Sequence, residues 1–359
     1  MRKILIFIIA VTAISISACS KDVNMPVDTE PIVQEEEILG LEEIEVEEKE
    51  EKKEEDDPNK VISPLDGLKY YPEELSERPV AVSLDNHPRA RWQAGIKDAE
   101  IVYEFQVEFP YTRYLAIFLT KQPTMIGPVR SARPYIIYYA LENDGIFVHV
   151  GGSEDAFSEV KRLQAAEIDG LYSGAMWRYN DTGKYAPHNM YTTVKSIRDE
   201  ATRLGYRTEG NFDKYNFNEM SLKLSDKFKD IVKANKINIT YNNENTTDYV
   251  YNKDMQLYLR FKDKVEHIDE LNKEQLTVKN IIVLEQPKSV LDSVGRLELE
   301  SIGSGKGIYF TEGESINITW TKKSEKDRTR FYINNDELHL NPGNTWIQIV
   351  DSVTSVISE

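Results

Sequence analysis

The chain has 359 residues and a formal net charge of -17, with 29% charged and 10% aromatic residues. This composition is typical of a packed globular protein, and the length accommodates two ordinary domains. The single cysteine excludes an intramolecular disulfide framework and a thiolate zinc site. Because a nucleic-acid-binding protein needs a basic face for the phosphates, the acidic balance argues against nucleic acid as a partner.

The first 19 residues have the pattern of a bacterial lipoprotein signal. Two basic residues precede an apolar stretch over 4–16, which is shorter than the roughly 20 apolar residues of a spanning helix. The stretch ends in the four-residue lipobox ISAC at 16–19. We therefore predict a signal peptide over 1–18 and acylation of Cys19, with chains such as palmitate anchoring the protein to the outer face of the cell membrane. An ordinary signal peptide followed by a chance cysteine is the alternative.

The segment that follows the cysteine is strongly acidic. Residues 20–60 contain 17 acidic and 5 basic side chains, a net charge of -12. Such a run cannot bury an apolar face without burying carboxylates, so we predict a disordered, extended tether over 19–60. Weak cation capture is the alternative, but no EF-hand spacing of ligands is present.

The first predicted domain, 61–215, alternates strand-like and helix-like segments. Predicted strands cover 80–84, 101–108, 113–120 and 146–150, with a hairpin around 109–110. Predicted helices cover 134–142, 153–164 and 192–204. In 101–108, Tyr103, Phe105 and Val107 alternate with polar residues, which predicts a half-buried strand.

The second predicted domain, 216–359, has short strand patterns and no convincing helix pattern after about residue 230. Predicted strands cover 249–251, 256–261, 280–284, 308–310 and 315–320, and turns are predicted at 334–336 and 341–344. Trp320 and Trp346 are predicted core residues. The fold class is therefore α+β, with mixed or antiparallel sheets and flanking helices in the first domain and a smaller β-rich second domain.

Several ordered motifs carry a resemblance over nearly the whole mature chain. They are RPVAV at 78–82, AEIVYE at 99–104, TR at 112–113, IGPVRSAR at 126–133, HVGGS at 149–153 and APHN at 186–189, with 303–307, Trp320 and LNPGNTW at 340–346 in the second part. The chain resembles the YerB-like family of Gram-positive cell-surface lipoproteins, which is built from two domains of unknown function. This resemblance implies an α+β domain followed by a β-rich domain and a place in a Gram-positive cell envelope, but no reaction.

Eight residues of these motifs, together with Glu108, form the candidate ligand site. An arginine pair can bind a carboxylate or phosphate in a bidentate way, and histidines at strand and helix ends commonly serve as functional groups. The candidates are Glu104, Glu108, Arg113, Arg130, Ser131, Arg133, His149, His188 and Asn189. We expect a non-catalytic binding or scaffold protein that takes a small anionic or envelope-derived ligand.

Three other interpretations remain open. The first is an envelope hydrolase or transferase that uses His149 or His188 as general base with a glutamate partner, although no nucleophile-elbow spacing supports it. The second is a buried network in which Glu104, Glu108 and the arginines pair with one another. The third is a protein partner docked on the β-rich domain. A metal site built from the histidines lacks helical ligand spacing, so we predict neither a metal nor a cofactor.

Overall fold

The computed structural model describes residues 57–211 and 213–359. The predicted signal peptide, Cys19 and the tether as far as residue 56 lie outside these described residues. Within the described ranges, no helix is long and apolar enough to cross a membrane. The described residues belong to one compact unit.

Three α-helices and 26 strands make up the described structure. The helices are α1 Pro134–Glu142, α2 Glu154–Leu163 and α3 Val194–Arg203. The first strands are β1 Val61–Ile62, β2 Lys69–Tyr70, β3 Val80–Asp85, β4 Ile101–Gln106, β5 Thr112–Phe118, β6 Ile146–His149, β7 Glu167–Asp169, β8 Trp177–Arg178 and β9 Met190–Tyr191. They are followed by β10 Asn216–Phe217, β11 Val232–Lys233, β12 Lys236–Asn242, β13 Asn245–Asn252, β14 Leu257–Lys262, β15 Val265–Glu266, β16 Thr277–Val278, β17 Asn280–Glu285 and β18 Lys288–Val290. The last are β19 Leu297–Leu299, β20 Gly303–Thr311, β21 Glu314–Lys322, β22 Arg330–Ile333, β23 Asp336–Glu337, β24 His339–Leu340, β25 Thr345–Val350 and β26 Val356–Ser358.

A mixed sheet of 12 strands, here called the large sheet, runs through both predicted domains. Its strand order is β23-β22-β21-β20-β17-β25-β4-β5-β3-β6-β7, and β11 pairs with β21 beside this path. Strand β25 lies between β17 and β4 and is parallel to both. The predicted boundary at 215/216 would therefore separate strands that are neighbours in one hydrogen-bonded sheet.

Both faces of the large sheet are covered. On one face, α1 and α2 pack through residues such as Ile136 and Leu163. On the other face, α3 packs through Ile197, and a six-stranded sheet, here called the small sheet, packs through residues such as Ile239 and Tyr258. The small sheet has the order β15-β14-β13-β12-β26, with β16 paired to β14. This arrangement confirms the predicted α+β class with mixed sheets.

Local sequence signals place most elements where they were expected. Ser153 caps α2 by accepting a hydrogen bond from the Ala156 amide at 3.2 Å, and Thr193 caps α3 in the same way. The β20–β21 hairpin closes through Glu312 and Gly313, both of which have a positive φ, as a two-residue hairpin turn requires. The predicted turn at 334–336 also forms, because two asparagines with positive φ join β22 to β23.

The prediction that strand β4 is half-buried is wrong. All six of its residues are buried, and Glu104 has no exposed surface. Tyr103 and Phe105 share one face of β4, as their alternation indicated, and both rings contact Tyr139 of α1. The polar face is covered by the small sheet, which supplies basic partners for Glu104 and so makes its burial tolerable.

Candidate functional site

The clearest concentration of polar groups lies where strand β3 ends. Asp85 is the last residue of β3 and only 4% exposed. Its Oδ2 accepts a hydrogen bond from Nδ1 of His188 at 2.7 Å and pairs with Nε of Arg130 at 3.3 Å. The ring of His87 stacks on the ring of His188, with centroids 4.4 Å apart. We call Asp85, His87, Arg130 and His188 the Asp85 cluster.

Backbone hydrogen bonds bring the distant segments of this cluster together. The Asp85 amide donates to the carbonyl of Pro128 at 2.8 Å, and the Arg130 amide donates to the carbonyl of Ser83 at 2.8 Å. The Val129 amide in turn donates to the carbonyl of Met190 at 2.7 Å, which places the 186–191 segment alongside. The segments 83–85, 128–130 and 186–191 therefore lie side by side, because each is hydrogen-bonded to the next.

The cluster favours an ionised carboxylate at its centre. Burial opposes ionisation of Asp85, but the hydrogen bond from His188 and the charge of Arg130 outweigh it, so the pKa of Asp85 lies below its usual value. Burial and the neighbouring His188 lower the pKa of His87. At neutral pH, Asp85 thus carries a negative charge that orients both His188 and Arg130.

Two groups of the Asp85 cluster have nitrogen atoms left for a ligand. Within the described part of the chain, Nε2 of His188 and the two terminal nitrogens of Arg130 have no hydrogen-bond partner. The Arg130 side chain is 30% exposed. The rings of His87 and Tyr111, with centroids 4.5 Å apart, lie beside them. This arrangement can bind an anion next to an aromatic surface.

A second group of charges lies beside the Asp85 cluster. Nε of Arg133 donates to Oε1 of Glu108 at 2.7 Å, and Nη1 of Arg113 donates to the carbonyl of Ser131 at 2.7 Å. Arg113 lies opposite Asp85 in the pairing of β5 with β3. Burial, reinforced by the charge of Arg133, lowers the pKa of Arg113 to about 10, so it remains cationic at neutral pH.

Glu104 belongs to a different, interior group. It pairs with Nη2 of Arg260 at 2.6 Å and with Nζ of Lys262 at 2.8 Å, and all three side chains are fully buried. Burial would raise the pKa of Glu104, but the charges of Lys262 and Arg260 outweigh it and lower the pKa to about 2. Burial lowers the pKa of Lys262 to about 8. We call Glu104, Arg260 and Lys262 the interior ion cluster.

His149 and Asn189 are also engaged with other partners. His149 is fully buried, its Nε2 lies 2.8 Å from Oε2 of Glu167, and its Nδ1 lies 2.9 Å from the carbonyl oxygen of Gly151. Since each ring nitrogen already lies against an oxygen atom of another residue, neither is free to contact a ligand. Asn189 accepts a hydrogen bond from Arg178 at 3.0 Å. The structure therefore brings Arg130, His188 and the Arg113–Ser131–Arg133–Glu108 group together, and it places Glu104 and His149 elsewhere.

The sequence analysis missed several residues of these clusters. Asp85 and His87 lie directly after the predicted strand 80–84, and the pattern did not show that Asp85 would contact His188, 103 residues later. Arg260 was missed because its neighbours Leu259 and Phe261 resemble the inward face of a strand. In the structure the basic residues of β14 point inward instead.

The histidines do not assemble into a metal site in the structure. The rings of His87 and His188 are nearly parallel, at 21°, and His149 contacts neither of them. Across residues 57–211 and 213–359, no group of three His, Cys, Asp or Glu side chains is arranged to hold a metal ion.

Comparisons with known proteins agree with the two-part organisation of the motifs. Residues 65–207 match a family model described as the N-terminal domain of a protein of unknown function (DUF3048), and residues 237–347 match the C-terminal domain of the same family. The chain is 34% identical to "Putative lipoprotein YerB" of Bacillus subtilis (strain 168) over 299 residues, which cover 82% of this chain and 88% of the relative. It is also similar to the crystal structure of the YerB protein from Bacillus subtilis, with a TM-score of 0.75 and 31% identity, over 83% of this chain and 99% of that chain.

Proposed function

Because this chain belongs to the YerB-like DUF3048 family, we propose that it is a lipoprotein anchored through Cys19 on the outer face of the membrane, where it binds a small anionic or envelope-derived ligand at the Asp85 cluster. The N-terminal lipobox supports the anchor, as does the name "Putative lipoprotein YerB" of the Bacillus subtilis relative. Binding requires no chemical step, so the protein acts as a receptor or scaffold.

One observation carries the binding proposal. A single carboxylate oxygen of Asp85 holds both Nδ1 of His188 and Nε of Arg130, and the remaining nitrogen atoms of these two residues have no partner in the described part of the chain. Because one acceptor fixes both side chains, the free terminal N–H groups of Arg130 are preorganised, so a ligand anion loses little free energy in ordering them. A phosphate or carboxylate group has the acceptor geometry that the arginine requires.

The binding proposal is tested with the full chain in detergent. Inorganic phosphate and acetate serve as probes in calorimetric titration. They test the anionic group alone, and the rest of the natural ligand is not specified. We expect saturable binding that weakens at least tenfold in Arg130→Gln and in His188→Gln. Arg162→Gln is the matched control, because Arg162 is half-exposed on α2 and pairs with Glu159 and Glu325. Equal binding by all four proteins, or no binding by the unaltered chain, rejects the site.

The anchor is tested separately. Mass spectrometry of the protein isolated from membranes should show an acylated N-terminal Cys19, and Cys19→Ala should move the protein out of the membrane fraction. An unacylated cysteine in the membrane-bound protein rejects the anchor and leaves the binding test unaffected.

A hydrolase or transferase is the second candidate, and one contact favours it. The carboxylate of Asp85 accepts from Nδ1 of His188, which fixes the tautomer whose Nε2 acts as a general base. Within the described residues no serine or threonine hydroxyl contacts that nitrogen, so the base would act on water or on a substrate hydroxyl. Turnover of phosphate or carboxylate esters that is lost in His188→Gln but kept in Arg162→Gln would support catalysis over binding alone.

A further inference from the structure

Arg328 is a buried cation whose guanidinium has no hydrogen-bond acceptor in the described part of the chain. It lies in the connection between β21 and β22 and is only 4% exposed. None of its three guanidinium nitrogens has a partner among residues 57–211 and 213–359. One face of the guanidinium lies over the ring of Tyr215, 4.4 Å from its centroid. Stacking occupies the face of the group but leaves the N–H donors at its edge.

A buried carboxylate in this region, Glu142, already accepts hydrogen bonds from other groups at both oxygens. Oε1 of Glu142 accepts from the hydroxyl of Tyr103 at 2.6 Å. Oε2 accepts from Nζ of Lys322 at 2.6 Å and from the backbone and side chain of Thr329. Lys322 and Glu142 therefore neutralise each other, and the charge of Arg328 is additional.

A second acid in this region forms its salt bridge with another arginine. Asp213 pairs with Arg330, and its side chain is 62% exposed. In the part of the chain that the structure describes, Arg328 forms no salt bridge with a carboxylate. The hydroxyl of Tyr215 is also buried, and it has no hydrogen-bond partner among the residues that the structure describes. A second donor thus lies beside the unpaired cation.

A buried charge requires more than solvation of its N–H groups. An unpaired ion inside a protein costs several kcal/mol, since the low dielectric neither screens nor compensates it. A water molecule can accept hydrogen bonds from the N–H groups but leaves the positive charge uncompensated. A small anion accepts the hydrogen bonds and also neutralises the charge. The planar guanidinium presents parallel N–H donors suited to a halide or to a small oxyanion.

We propose that Arg328 and the Tyr215 hydroxyl bind one small monovalent inorganic anion, such as chloride, in the interior of the protein. The low exposure of Arg328 restricts the ligand to a few atoms, which separates this site from the solvent-facing Asp85 cluster. The bound ion ties the β21–β22 connection to the segment around Tyr215 and serves a structural role.

Bromide provides the direct test. Crystals of the full chain grown with bromide in place of chloride should show an anomalous scattering peak in contact with the Arg328 guanidinium. Density for water alone at that position, or bromide only at the protein surface, overturns the proposal. This measurement uses the unaltered protein, so it does not depend on whether any variant folds.

Stability measurements give an independent test. At equal ionic strength, replacing gluconate by chloride at about ten times the dissociation constant should raise the melting temperature by about 3 °C. Arg328→Met should abolish this chloride response. Arg296→Met is the matched control, because Arg296 is a partly exposed arginine paired with Asp292, and it should keep the response. A chloride response that persists in Arg328→Met contradicts the assignment of the ion to this residue.

Discussion

Replacement of Glu104 by glutamine tests whether this residue is part of the interior ion cluster or of a ligand site. The change keeps the side-chain size and keeps an oxygen that accepts from Thr112, which lies 2.7 Å away in the unaltered protein. It removes the negative charge that two buried cations share. Arg260 and Lys262 would then remain fully buried with no carboxylate within the cluster.

The expected cost follows from this burial. Removing one partner of a buried ion pair destabilises a protein by about 3–5 kcal/mol. Burial already lowers the pKa of Lys262 to about 8, so this residue can lose its proton, which favours the lower end of the range. Arg260 keeps its position over the ring of Trp346, 4.0 Å from the centroid. A fall of roughly 6–10 °C in melting temperature is expected.

The assay is thermal and urea unfolding of Glu104→Gln beside a matched control. Glu108→Gln makes the same chemical change four residues further along the chain, but the pair of Glu108 with Arg133 is partly exposed. Partly exposed ion pairs contribute little to stability, so we expect Glu108→Gln to lower the free energy of unfolding by about 1 kcal/mol or less. The double variant Glu104→Gln with Lys262→Met should recover part of the loss, because it removes one unpaired charge.

The pH dependence adds a second signature. The pKa of Glu104 in the folded protein is about 2, below its usual 4.5. Its contribution is therefore complete above about pH 4.5 and is lost as the pH falls towards 2, and Glu104→Gln should lack this acid-dependent part. If Glu104→Gln loses no more stability than Glu108→Gln, or if it keeps normal stability but no longer binds phosphate, the reasoning is refuted.

Three further predictions concern a cap, a turn and a buried histidine. Ser153→Ala should cost about 1 kcal/mol, measured by urea unfolding, because the Ala156 amide loses its capping acceptor; an unchanged midpoint contradicts this. Gly313→Ala should destabilise by about 1–2 kcal/mol, because the residue has φ +74° and an added Cβ would lie 2.8 Å from the Tyr251 ring; Gly174→Ala, where no atom lies within 4 Å, is its control. His149→Gln should cost about 1–3 kcal/mol through the lost hydrogen bonds and leave phosphate affinity unchanged. Weakened binding at full stability would place His149 in the site instead.

The local elements follow from short-range sequence signals. The proline-initiated helix at 134–142 forms with the predicted bounds, and the buried run at 80–84 forms β3 with one further residue. Trp320 and Trp346 are core residues, each 2% exposed, as predicted. These features depend on side-chain period, caps and turn residues that lie within a few positions of one another, so a single sequence contains them.

The neighbours of each strand were decided by tertiary structure. Nothing in the period of β25 indicates that it lies between β17 and β4, because alternation specifies a strand but not its partner. The same limit applies to the chemistry. The sequence by itself supplied arginines and histidines in unusual motifs, but packing alone determined that Asp85 joins His188 to Arg130, since side chains more than 40 residues apart meet only when the whole sheet is assembled.

Burial of polar residues likewise depended on what covers each face. Period-2 alternation placed the carboxylate of Glu104 on a solvent face, which is correct for a sheet with one open side. The small sheet closes that side and brings in Arg260 and Lys262 from β14. Sequence thus determined which residues are polar and which segments are strands, whereas the tertiary structure decided which charges are buried, because burial depends on layers formed by distant parts of the chain.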